Sequence, residues 1–191
     1  MSVDFTTQPA LKKPFKTVAE FEIWLSEQSN LADKKFEFTN GKIIEKPAMK
    51  QEELFIVTFL LDLFSTTVTF KNKIGRLLPE LDSHIDKQRK RIPYISYYTN
   101  EQIKKMRKGK KFATPFPIEI ISPNDKLKDI EDKINDYFNA GIKLVWYISP
   151  EQEQIYVYHS PTDIKIYKGT DVCSAHPIFP DFSFKVEDMF A

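Results

Sequence analysis

Glu119 lies inside the apolar run Phe116-Pro-Ile-Glu-Ile-Ile121. A strand buried on both faces reads as a nearly continuous apolar stretch. A carboxylate within one is costly unless a cation, a hydrogen-bond donor or a metal ion meets it. The helical pattern that follows carries Lys133, fourteen residues downstream. A lysine on the inner edge of that helix could reach a carboxylate on the strand, orient a water or stabilise charge developing on a phosphate. The plainer readings are a salt-bridged buried acid for Glu119 and, for Lys133, an i, i+4 surface ion pair with Asp129.

The second chemical feature is cationic. Lys104, Lys105, Arg107, Lys108, Lys110 and Lys111 fall within eight residues, and Lys87, Arg89, Lys90 and Arg91 add four more around a basic turn. Phosphate-backbone binding needs only such clustering, because each neutralised phosphate releases counterions. A solvated loop and helix end is the alternative. Tyr94, Tyr97 and Tyr98 could stack on bases or fill a sheet core. Other chemistries fall away. His84, His159 and His176 flank no nucleophile motif, Cys173 has no evident activating partner and reads as an inert buried thiol, and no phosphate-cradling glycine loop occurs.

The elements that must position these residues follow from composition and periodicity. At 191 residues, 41% hydrophobic and 14% aromatic, the chain can bury one core, and a net charge of +1 excludes a supercharged nucleic-acid packager. Residues 1–16, with Pro9 and Pro14, read as an extended arm before a single domain over 17–191. A single cysteine points to a reducing cytoplasm. Neither a signal-peptide pattern nor about 18 consecutive apolar residues occur, so no membrane partner is expected.

Thr17-Val-Ala-Glu20 is a capping box opening a helix to about residue 26. Two alternating runs flank Asn40-Gly41, a hairpin signal, with Phe36 and Phe38 on one face of the first strand and Glu37 on the other. A helix spans about 51–64, and a β meander about 74–98, followed by a short basic helix over 100–108. Strand 116–121, helix 126–139 and strand 144–148 make a βαβ unit, which predicts a parallel pair. A hairpin at 154–159 and 164–168 and a short terminal segment complete the chain. The fold class is α/β: a mixed β-sheet flanked by helices, with an N-terminal hairpin and one βαβ crossover.

Several pieces in this order are similar to the Uma-type restriction-endonuclease family of the PD-(D/E)XK nuclease superfamily. They are Phe36-Glu-Phe-Thr-Asn-Gly-Lys-Ile-Ile44, Arg91-Ile-Pro93, Ile118-Glu-Ile-Ile-Ser-Pro123 and Lys133-Ile-Asn-Asp-Tyr137, then Gly141 to Ile148, Phe179-Pro-Asp-Phe182 and Glu187-Asp-Met-Phe190. The resemblance runs from about Lys13 to Ala191 and implies a restriction-endonuclease-like core with Mg²⁺ as cofactor and DNA as substrate. It implies that Glu119 is a metal ligand, that Lys133 supports the attacking water from the helix, and that Glu37 occupies an acidic family position. It also exposes a departure. After Arg91-Ile-Pro93 the family places a metal-binding aspartate, and this chain has Tyr94. A phenol titrates near pH 10 and gives Mg²⁺ no anionic ligand at neutral pH. Asp82 or Glu80 on the preceding strand, or Glu37, could replace it. A four-residue turn at 87–90 puts Ser83 opposite Tyr94, whereas a one-residue slip brings Asp82 or His84 across. The resemblance thus implies a Mg²⁺-dependent DNA endonuclease impaired by Tyr94. The alternative is an inactive nuclease fold kept as a nucleic-acid-binding or protein-interaction module. Cutting both strands of a duplex generally takes two sites, so a homodimer is expected of an active form.

Overall fold

The structure, a computed structural model, describes residues 15–123, 125–179 and 181–191. The expected arm at residues 1–16 therefore lies, up to residue 14, outside the described residues. Helix α1 (Val18–Ser26) precedes the hairpin β1 (Lys35–Thr39) and β2 (Lys42–Lys46), then α2 (Gln51–Ser65) and α3 (Val68–Lys71). Strands β3 (Gly75–Pro79), β4 (Ser83–His84), β5 (Arg89–Arg91) and β6 (Ile95–Thr99) lead to α4 (Asn100–Met106). The crossover is β7 (Phe116–Ile120), α5 (Leu127–Asn139) and β8 (Val145–Ser149). A hairpin of β9 (Gln154–Ser160) and β10 (Asp163–Lys168) precedes β11 (Val172–Ser174), β12 (Ser183–Lys185) and α6 (Glu187–Phe190).

The fold class is the expected mixed α/β arrangement, but the strands divide between sheets. The large sheet has six strands in the order β10-β9-β8-β7-β6-β3, and within it β7 and β8 run parallel, as the crossover requires. The N-terminal hairpin instead joins a four-stranded antiparallel sheet, β2-β1-β5-β4. The meander over 74–98 is thus split: its outer strands, β3 and β6, lie in the large sheet and its inner two in the small one.

Each sheet face finds a helix. Ile56, Leu60 and Phe64 of α2 pack on Ile95, Ile118 and Trp146, together with Phe179 and Phe182 of the terminal segment. On the opposite face Ile134 and Tyr137 of α5 cover Val145 and Tyr147. Over the small sheet α1 brings Val18 and Phe21 to Phe36 and Phe38, with the Phe21 and Phe38 rings stacked at 5.3 Å. Local chemistry sets the ends. Thr17 and Glu20 exchange the two capping-box hydrogen bonds, at 3.2 and 3.3 Å. Asn40 (φ 48°) and Gly41 (φ 85°) both take left-handed backbone, the conformation a two-residue hairpin turn demands.

Candidate functional site

The site forms where α5 bridges the two sheets. Strand β1 turns Phe36 and Phe38 toward α1, which leaves Glu37 facing α5; with both faces covered, all three are buried. Strand β5 repeats the alternation. Lys90, directly opposite Phe38, faces α1, while Arg89 and Arg91 face α5. From the large sheet Glu119 alternates with the core residues Ile118 and Ile120 and so points to α5 as well. On α5, Lys133, Asp136 and Tyr137 stand at i, i+3 and i+4 and share one face.

These side chains close a continuous charge network. The Lys133 ammonium lies 3.1 Å from Glu37 Oε1 and 3.4 Å from Glu119 Oε1. The Tyr137 hydroxyl donates to the same Glu119 oxygen at 2.6 Å. Arg91 donates to Glu37 Oε2 at 3.0 Å and to Asp136 Oδ2 at 2.8 Å, and Arg89 holds the other Asp136 oxygen at 2.8 Å. The Ile92 amide donates to Glu37 at 3.0 Å. Burial would raise the Glu37 carboxyl, but Lys133 and Arg91 outweigh it and hold it at about 2. Burial likewise works to strip Lys133 of its proton, and Glu119 and Glu37 reverse the effect, so its pKa is raised. Tyr137 and Tyr147 are pushed well up by burial and by Glu119.

A cleft of about 430 Å³ opens over this network, bounded by Glu37, Glu119, Lys133, Lys46, Tyr94 and Glu53 among others. Tyr94 donates its hydroxyl to Glu53 Oε1 at 3.2 Å, and Glu53, buried on α2, accepts the Lys50 amide on its other oxygen at 2.7 Å. Burial and then the Glu53 charge raise the Tyr94 pKa, so the phenol is neutral. Lys46 extends its ammonium over the Tyr94 ring, 3.6 Å from the centroid, and donates to the Ile92 carbonyl at 3.0 Å.

The structure therefore brings Glu119, Lys133, Glu37 and Tyr94 to one cleft. It does not bring Asp82 there. Ser83 pairs with Arg91 and the Glu80 amide bonds to the Tyr94 carbonyl, a register that keeps Asp82 away from Tyr94. The Asp82 carboxylate accepts Lys90 at 2.9 Å on the α1 side, near Glu22 and His84, so Asp82 is no partner ligand for Glu119. Glu80 is taken by Lys35 at 2.5 Å. The expected basic turn at 87–90 is shorter, a bend at 86–88 leading into β5, whose Lys90 and Arg91 are buried and ion-paired, which removes those two as phosphate contacts. Tyr97 and Tyr98 are buried sheet residues unable to stack on bases. Lys104, Lys105, Arg107, Lys108, Lys110 and Lys111 are exposed on α4 and the loop after it; Lys105 pairs with Glu101 and Lys111 with Glu22. That cluster begins beyond the far end of β6, and roughly 17 Å of strand, at about 3.3 Å per residue, separates it from Tyr94. Cys173 is fully buried, and burial pushes its thiol up to about 12.

Four members of the site escaped sequence reasoning: Asp136, Tyr137, Glu53 and Lys46. Asp136 carried a usable signal, an acid between Ile134 and Tyr137 on the inner face of an amphipathic helix. Lys46 and Glu53 carried none, since their partners lie on distant elements.

The donor set does not fit the Mg²⁺ that the resemblance implies. Protein sites hold this ion by one or two carboxylates with substrate oxygens and water. Both oxygens of Glu37 are engaged by Lys133, Arg91 and an amide. Tyr94 is uncharged, the Lys133 ammonium already stands beside Glu119, and the Lys46 charge acts on Glu119 from beyond ion-pair distance. Among the described residues the one cluster of three His, Asp or Glu ligands is Glu22, Asp82 and His84, and there Lys90 and Lys111 supply the positive charge.

No curated protein matches the sequence. Among solved structures, the chain is similar to one described as a putative nuclease belonging to DUF820, from Anabaena variabilis. That similarity has a TM-score of 0.69 at 22% identity over 81% of this chain and 89% of the other, which shows a shared fold. Among described residues no helix is long and apolar enough to cross a membrane. The model of the Uma2 family, described as "Putative restriction endonuclease", matches residues 18–187, and the chain belongs to that family.

Proposed function

We propose that the protein binds DNA in this cleft as a restriction-endonuclease-like phosphodiester site whose metal-dependent hydrolysis is impaired. One observation carries the reading: Glu119 and Lys133 remain in contact at the cleft, while Tyr94, hydrogen-bonded to Glu53, stands where the resemblance expects the second metal-binding carboxylate. Lys133, gripped by two carboxylates, keeps its proton and acts as a stabiliser of phosphate charge rather than a base. Tyr137 fixes the rotamer of Glu119 through its short hydrogen bond. The exposed Lys104, Arg107, Lys108 and Lys110 offer a second, salt-sensitive contact to phosphates, too distant to touch the one at Glu119.

The test compares the natural chain, Tyr94→Asp and Tyr94→Asp/Glu119→Gln. Metal binding is read by calorimetry and cleavage of plasmid DNA is followed with Mg²⁺ or Mn²⁺. Weak or absent metal binding and cleavage in the natural chain, gained in Tyr94→Asp and lost again in the double variant, is the expected pattern. Brisk Mg²⁺-dependent cleavage by the natural chain that Glu119→Gln abolishes would overturn the reading.

A further inference from the structure

Lys46 is the half-buried cation of the cleft for which no ion pair forms at contact distance among the described residues. Arg91 and Lys133 are each shared between two carboxylates, and Lys42 and Lys50 are solvent-exposed. Lys46 is only partly exposed, and among the described residues no carboxylate lies within ion-pair distance of it. Its placement is built in by the hairpin register. On β2, Lys42, Ile44 and Lys46 share the face that Glu37 occupies on β1, with Glu37 opposite Ile44. The same register sets Lys46 directly opposite Lys35, a like-charge juxtaposition that costs stability. Glu80 pairs directly with Lys35, whereas the direct contacts of Lys46 are the Ile92 carbonyl and the Tyr94 ring, with Glu119, Glu37 and Glu80 acting on it from beyond ion-pair distance. Burial lowers its hold on its proton, Glu119 pulls the other way, and Lys133 adds to the lowering. A desolvated ammonium facing open space, with a ring face and one carbonyl for partners, is a site for an anion.

We propose that Lys46 is the metal-independent phosphate anchor of this cleft, pairing with a phosphodiester oxygen of the bound strand. The inference rests on the DNA-binding reading above and goes further by naming the residue and the charge that make a metal unnecessary for binding. The walls also carry Glu53, Asp125 and Asp129, so attraction is local to the lysine and not a field of the whole cleft.

The experiment measures binding of a short fluorescein-labelled DNA duplex by anisotropy, in EDTA, over a range of salt. Lys46→Met is expected to weaken binding about tenfold and to lower the salt slope by about one, as loss of one phosphate contact should. Lys46→Arg, which keeps the charge, should bind nearly as the natural chain does. A Lys104→Gln/Lys108→Gln variant should weaken binding additively with Lys46→Met, because distant sites do not couple. Circular dichroism and urea titration establish that each variant is folded. Equal affinity of folded Lys46→Met and the natural chain overturns the anchor while leaving DNA binding standing. Failure of the natural chain to bind in EDTA, with binding restored by Mg²⁺, also overturns it. Metal-dependent cleavage by the natural chain would instead overturn the preceding reading and not this one.

Discussion

The carboxylate of Glu37 holds much of the site's electrostatic balance. Held at about 2 against an ordinary value near 4.3, it contributes stability that is present above the unfolded value and lost as pH falls through the folded one. Stability should therefore fall between about pH 5 and pH 2, with Glu37 responsible for on the order of 3 kcal/mol. Glu22, also held at about 2 through His84 and Lys111 despite its burial, titrates in the same window. The diagnostic measurement is thus the difference between the natural chain and Glu37→Gln in urea midpoints at neutral and acid pH; a variant losing as much stability on acidification as its parent would contradict the assignment. At this scale the sequence was partly legible. Glu119 announced itself as an acid in an apolar strand, and Lys133 as a lysine one crossover away. Lys46 did not, because nothing local to residues 42–46 says that Tyr94 will lie beneath it.

Among the elements, α5 has the widest consequences. Its apolar stripe was readable from Ile130, Ile134, Tyr137 and Phe138, although Leu127, at the start of the same pattern, is 70% exposed in the first turn. Beyond the reach of Lys133 toward Glu119, the helix's tie to the small sheet was unreadable. Lys133 and Asp136 fasten it to β1 and β5 of the small sheet, while Tyr137 and Lys133 fasten it to β7 of the large one. The reason is physical: periodicity reports which face of an element is dry, and says nothing of which distant charge will sit across from it. The split of the 74–98 meander was hidden for the same cause, since four alternating strands pattern alike whether they share a sheet or divide between two. Arg91 is the keystone of the seam, with Glu37 and Asp136 both buried against it. Arg91→Met removes one of the two cations from each of two buried carboxylates, leaving Glu37 to Lys133 and Asp136 to Arg89, and a loss of about 3 kcal/mol is expected by chemical denaturation. A loss under about 1 kcal/mol, the scale of a surface pair, would show that the seam is solvated.

At the scale of the whole molecule, the large sheet ends in β10, a strand exposed on both sides with Ile164 and Ile166 at 45% and 51% exposure. Lys165 and Lys168 stand on that edge, the kind of charge that discourages pairing with another chain. Replacing both by valine should produce concentration-dependent association, visible by light scattering, while the urea midpoint stays within about 0.5 kcal/mol. A variant that remains as dispersed as the natural chain would mean that the lysines guard nothing. The broad architecture was legible because it needs only alternation, caps and one crossover, and those are local. Tyr94 carries a last consequence. Tyrosine and aspartate codons differ at their first base alone, so a single point mutation would place a carboxylate at this position of the cleft. One heritable step therefore separates the neutral phenol from a further negative charge beside Glu53, within reach of the Lys46 ammonium that now lies over the ring.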